Sequence, residues 1–177
     1  MKPMTLVFGG AFDPPHVGHV RLVEGAKRHF GAEHVLVLVV ADPGHREVVA
    51  SAADRLALAS VAFPGEDVEL DEHPRTIDML RARRLDDPVL VIGADELADL
   101  PNWKEPESVL ELARLAVAMR PGHAVNDAPA GATFFEIVST PVSSTEIRRR
   151  VVAGEPIDGL VPPAVAAEIE RLGLYRG

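Results

Sequence analysis

The chain of 177 residues contains no cysteine, a single tryptophan and a single tyrosine. Without cysteine there is no disulfide framework and no thiolate metal site. Long apolar runs are missing too. The longest, Val35 to Ala41, falls far short of the roughly 20 residues that span a bilayer. The opening MKPMTLVFGG shows no signal-peptide hydrophobic region. Positive charge is scarce: 18 Lys and Arg against 27 Asp and Glu leave a net charge of −9. That balance argues against non-specific binding to nucleic acid or to an anionic membrane, and leaves room for a local basic pocket. What the chain does have is apolar content, 47% of residues, enough for a sizeable core in one domain. The expectation is a cytoplasmic globular protein with one domain over residues 1–177, no membrane or nucleic-acid partner, and self-association left open.

Short apolar runs alternate with amphipathic ones. Strands are expected at TLVF (5–8), HVLVLVV (34–40), DVELDE (67–72), PVLVIG (88–93), RLAVAM (114–119) and TFFEIV (133–138). The runs at 35–40, 89–92 and 115–119 are almost continuously apolar, as in strands buried on both faces of a parallel sheet. Helices are expected at 17–30, 51–62, 76–84, 94–100, 106–113, 143–153 and near 162–172. Ser51 with Asp54 suits a helix start, as do Pro106 and the Pro162–Pro163 pair. Strand–helix alternation predicts an α/β fold, a doubly wound open parallel sheet with a short C-terminal helical segment. Segments 41–50 and 120–132, rich in Gly and Pro, read as loops.

The stretch GGAFDPPHVGHV (9–20) lies between the first strand and the first helix. Gly9 and Gly10 let backbone approach a ligand closely. The loop feeds a helix N-terminus, where free N–H groups and the dipole favour an anion. His16 and His19, at i and i+3, share one face of the first turn and offer imidazole N–H groups to phosphate oxygens. The spacing is neither that of a P-loop nor that of a dinucleotide fingerprint. A capping turn with two surface histidines is the plainer alternative, and Asp13 joining both histidines around a metal is a third.

PVSSTEIRRR (141–150) places Ser143, Ser144 and Thr145 at a helix start, with Arg148 one turn later. That is a second anion-binding arrangement, or simply a capped helix with a charged face. Arg149 and Arg150 read as solvated. In VIGADEL (91–97) a buried strand ends at Gly93 and Asp95. Asp95 is either a ligand hydrogen-bond acceptor or a helix N-cap. In doubly wound sheets the ligand lies beyond the strand C-termini, where strand order reverses. If the first and fourth strands are neighbours, GGAFDPPH and GADE meet there.

GGAFDPPHVGH, IGAD and SSTEIR together resemble the bacterial nicotinate mononucleotide adenylyltransferases of the nucleotidylyltransferase superfamily, with its GxFxPxHxGH-type loop. PNWKE (101–105), MRPG (119–122) and LVPPAVAAEIERLGLY (160–175) extend the resemblance almost end to end. It implies transfer of AMP from ATP to nicotinate mononucleotide, with Mg²⁺ carried by the ATP phosphates and no dedicated protein metal site. It implies that His16, His19 and Arg148 are catalytic. Gly9, Gly10, Phe12, Gly93, Asp95, Ser143, Ser144 and Thr145 would bind ATP. His45, Arg46, Thr76, Asp78 and Trp103 would bind the acceptor, with Trp103 stacked on the pyridine.

The chain departs from the family pattern on the acceptor side. Arg75 stands where an aromatic residue precedes the threonine, Pro74 and Met79 replace small polar residues, and Arg46 replaces lysine. Arg75 can stack through its guanidinium plane or pair with a carboxylate. The alternatives are another phosphomonoester acceptor, such as nicotinamide mononucleotide or phosphopantetheine, and a nucleotide-binding module without catalysis.

Overall fold

The computed structural model describes residues 3–44, 46–123, 125–138 and 140–177. Six strands form one all-parallel sheet: β1 (Thr5–Gly10), β2 (Leu36–Val40), β3 (Asp67–Asp71), β4 (Pro88–Gly93), β5 (Arg114–Met119) and β6 (Thr133–Glu136). Their order is β3-β2-β1-β4-β5-β6. The helices among the described residues are α1 (Val17–Phe30), α2 (Ala52–Ala62), α3 (Thr76–Arg83), α4 (Ala94–Asp99), α5 (Pro106–Leu112), α6 (Ser144–Ala153) and α7 (Pro163–Leu172), with a 3-10 turn at Leu100–Asn102. The doubly wound parallel sheet expected from the alternation is the one observed.

The apolar runs are explained by two buried faces. Successive strand residues point to opposite sides. Leu6 and Phe8, Val37 and Val39, Val89 and Val91 pack on one side with α1, α2, α6 and α7. Val7, Leu38, Leu90 and Ile92 pack on the other with α3, α4 and α5. A strand sandwiched in this way needs an apolar residue at every position, not at every second one.

Helix ends follow local chemistry. Ser51 accepts from the Asp54 amide at 3.1 Å and Ser143 from the Glu146 amide at 3.1 Å. Pro106 and Pro163 each open a helix, where a missing N–H costs nothing. Gly31, Gly154 and Gly173 end α1, α6 and α7 in the left-handed conformation. The winding reverses between β1 and β4, which pair directly through Thr5–Pro88, Leu6–Val89 and Val7–Leu90. Both strands run the same way, so the loop after Gly10 and the start of α4 after Gly93 lie at one edge of the sheet, at the switch point.

Candidate active site

The turn after β1 is held from beneath. Phe12 is buried, its ring 5.5 Å from Phe8 and 5.5 Å from Phe63, and its backbone is left-handed with φ 52°. A side chain on Gly10 would sit 3.0 Å from that ring, which is why the strand ends on glycine. Asp13 is buried and both of its oxygens are engaged. Oδ2 accepts from the Val49 amide at 2.6 Å. Oδ1 accepts from the Ala50 amide at 3.1 Å and the Tyr175 hydroxyl at 2.7 Å. Asp13 is therefore an anchor for the loop and not a free ligand, and among the described residues no group of three or more His, Asp or Glu stands ready for a metal.

Above this anchor the two histidines stack, ring centroids 3.8 Å apart and planes 24° apart. His16 caps α1. The Gly18 amide donates to His16 Nδ1 at 3.1 Å, and the His16 amide donates to His19 Nδ1 at 3.1 Å. Each Nδ1 is thus an acceptor, which assigns the ring proton to Nε2 on both. Both rings present an Nε2–H donor with the imidazole neutral. Burial reinforces that state: it lowers the His16 pKa from 6.5 to about 4. His19 is held well below its ordinary value by burial, then by His16 and Arg46. Gly18 is required by close approach, because a Cβ there would lie 2.9 Å from His16 Cε1.

The Ser143–Arg148 stretch is brought onto the same loop from 130 residues away. Ser144 Oγ donates to the Pro14 carbonyl at 2.8 Å and Arg148 Nη1 to the Asp13 carbonyl at 2.8 Å. A longer contact, 3.4 Å, joins Arg148 Nη2 to Thr145 Oγ1. The N-terminus of α6 and that of α1 therefore border one loop, and Arg148 adds a fixed positive charge that neutral histidines do not supply.

Beside the turn lies a cavity of about 480 Å³. Gly9 and Gly10 form one wall, Arg46, Arg75 and Thr76 another, and Trp103 a third. His16 and His19 are outside this lining, so the cavity is one half of the crevice and the histidine turn the other. Arg75 is exposed and donates to the Pro74 carbonyl at 3.0 Å. Asp78 is taken up by Lys104 at 3.0 and 3.1 Å and does not line the cavity. His45 lies outside the described residues. Gly93, and not Asp95, is the N-cap of α4, and Asp95 is exposed in its first turn.

Sequence reasoning missed Glu96. It lines the cavity, accepts from the Gly93 amide at 2.7 Å, and burial raises its pKa. It also missed Arg55 and Tyr175. Arg55 is fully buried and donates to the carbonyls of Ala11, Val40, Ala41 and Ala50 at 2.9, 2.8, 2.7 and 3.2 Å. It ties the loop after β1 to the end of β2 and to the start of α2. The sequence signal was weak in each case, a charge on a helix or a tyrosine far from the loop it serves.

Residues 7–150 match the family described as cytidylyltransferase-like. A "Probable nicotinate-nucleotide adenylyltransferase" of Bordetella avium is 37% identical over 196 residues, covering 99% of both chains. One of the same name from Thermus thermophilus is 39% identical over 182 residues, covering 96% of this chain and 98% of its own. In structure, a Plasmodium falciparum nicotinic acid mononucleotide adenylyltransferase complexed with NaAD superimposes with a TM-score of 0.81 at 14% identity, covering 97% of each chain. The stacked histidine turn, the docked serine–arginine helix and full-length similarity at this level agree, and the chain belongs to the nicotinate-nucleotide adenylyltransferase family.

Proposed function

We propose that this protein transfers the adenylyl group of ATP to nicotinate mononucleotide, giving nicotinate adenine dinucleotide and pyrophosphate, a step of NAD biosynthesis. The observation that carries this reading is the pairing of the two histidines: both Nδ1 atoms accept from backbone amides at a helix N-terminus, which leaves both Nε2–H groups as donors.

The acceptor's phosphomonoester oxygen attacks the α-phosphorus of ATP. The bond from that phosphorus to the bridging oxygen of the β-phosphate breaks, and pyrophosphate leaves with the electron pair. A phosphomonoester has its second pKa near ~6, so the nucleophile arrives ionised and no general base is needed. The protein's task is to hold two anions together and stabilise charge on the leaving group. His16 and His19 donate to the triphosphate. Arg148, Ser143, Ser144, Thr145 and the amides of the two helix starts serve the outer phosphates. Gly9, Gly10 and Phe12 shape the floor of the nucleotide site, with Gly93 and Asp95 at its rim. Arg46, Thr76 and Trp103 face the acceptor, and so does Arg75 beside the 41–50 loop. His45, matching the family's histidine–lysine pair, would join them; Asp78 acts through Lys104. Mg²⁺ enters as part of the ATP substrate, held by phosphates and water as its octahedral preference favours.

The test is pyrophosphate release from ATP and Mg²⁺ with nicotinate mononucleotide, nicotinamide mononucleotide and phosphopantetheine in parallel. Release that is fastest with nicotinate mononucleotide is expected. Release with none of the three, or ATP loss without an acceptor, contradicts the proposal.

A further inference from the structure

A histidine–carboxylate pair sits in the cavity lining, apart from the signature turn. Asp71, the last residue of β3, is buried, and its Oδ1 lies 2.6 Å from His73 Nδ1. Both residues line the cavity. Arg83 Nε, a buried donor with no hydrogen-bond partner, lies 3.8 Å from the same Asp71 oxygen on α3. A carboxylate can only accept, so His73 must place a proton on Nδ1 to make this bond. The arrangement is the reverse of that at His16 and His19. There Nδ1 accepts and Nε2 always carries hydrogen. In His73 the Nδ1–H is spent on Asp71, and Nε2 is left for the cavity: a lone pair on the neutral ring, a charge-assisted donor on the imidazolium.

Asp71, Glu96 and Asp99 also line the cavity, but its α3 side favours an anion. His73 precedes α3, whose N-cap, Arg75, gives no side-chain acceptor to the first turn. That helix start is positive and uncapped. Arg75 lies beside it, with Nη1 3.0 Å from the position a Cβ on Gly44 would take. The one acid in the first turn, Asp78, is already paired with Lys104. In the same lining Trp103, Met79 and Ile92 offer flat and apolar surface, suited to an aromatic ring that carries the anion.

Resting on the proposed function, we propose that His73, oriented by Asp71, is a specificity-determining residue that binds the acceptor as the imidazolium, donates Nε2–H to its ring carboxylate and so selects a pyridine carboxylate over its carboxamide. Asp71 is the positioning residue behind it.

The experiment compares native protein with His73→Gln, Asp71→Asn and His73→Lys. It measures kcat and KM for nicotinate and nicotinamide mononucleotides, and the dissociation constant of each from quenching of Trp103, the only tryptophan. Loss of one charge-assisted hydrogen bond predicts that His73→Gln raises KM and Kd for nicotinate mononucleotide about tenfold or more. The values for nicotinamide mononucleotide, kcat and the melting temperature should stay near native. Asp71→Asn should shift the same ratio less, and His73→Lys should restore part of it. Equal loss for both acceptors, or no change for either, overturns the role of His73 while leaving adenylyl transfer in place. Native protein that neither binds nor uses either mononucleotide overturns both this inference and the function beneath it.

Discussion

A histidine at the start of a helix meets two opposing demands. Nearby phosphate favours the imidazolium, whereas burial and the positive end of the helix dipole favour the neutral ring. In the free protein burial prevails, and the backbone amides of His16 and Gly18 fix which nitrogen keeps its proton. NMR titration of the ligand-free protein should place the His16 midpoint near pH 4; a midpoint near the ordinary value would contradict the assignment. His16→Ala or His19→Ala should lower kcat by roughly 10²–10³ with a smaller loss of ATP affinity, as expected for donors that matter most in the transition state. Parallel losses in both would make them binding residues only. Gly18→Ala tests the ring's position without removing it. Its Cβ would press on His16 at 2.9 Å, so kcat should fall more than about tenfold while helix propensity, favouring Ala by ~1 kcal/mol, offsets the loss of stability. The two histidines were legible in the sequence because their spacing is local. Their protonation was not: it depends on a side chain folding back onto the backbone three residues earlier.

The elements that carry these residues are held by contacts no local pattern announces. Arg55 looks in the sequence like an ordinary charged position of a helix, yet its guanidinium is buried against four carbonyls. Burial lowers its pKa, and Asp13 opposes that shift. Arg55→Met removes the donors but leaves the carbonyls buried. The expected cost is about 3 kcal/mol or more, a fall in melting temperature of roughly 6–12 °C for a chain of this size. An unchanged melting temperature would show that water replaces the clamp. The strands themselves were legible, because a sheet covered on both faces demands unbroken apolar runs. The SSTEIR helix start was legible from its hydroxyls, but its docking onto Asp13 and Pro14 rests on Ser144 and Arg148 reaching across 130 and 135 residues. Asp95 and Glu96 are adjacent in one helical turn. Only the half-buried position of the second, and the exposure of the first, tells which of them faces the cavity.

At the scale of the molecule, the reversal of winding between β1 and β4 places both halves of the crevice at one edge of the sheet. Sequence reasoning reached this only conditionally, since strand order depends on crossover connections and not on any strand's own pattern. The neutral histidines also bear on the whole fold. His16 titrates at 6.5 in its ordinary state and at about 4 in the fold. Between those values the unfolded chain binds a proton that the folded chain refuses, so stability is full above pH ~6.5 and falls as pH drops toward 4. His19 acts in the same direction. The urea midpoint should therefore decline from pH 7 to 4.5, and less so in His16→Gln; a midpoint independent of pH over that range would contradict the burial of neutral rings.

The crevice as proposed moves an adenylyl group and not a terminal phosphate. This is tested most directly by following ATP labelled separately at the α- and γ-phosphates, with Mg²⁺ and nicotinate mononucleotide. The α-label should appear in the dinucleotide and the γ-label in pyrophosphate, both abolished together in the His16→Ala, His19→Ala double variant. A γ-label recovered as orthophosphate, or an α-label that stays in AMP, would contradict it.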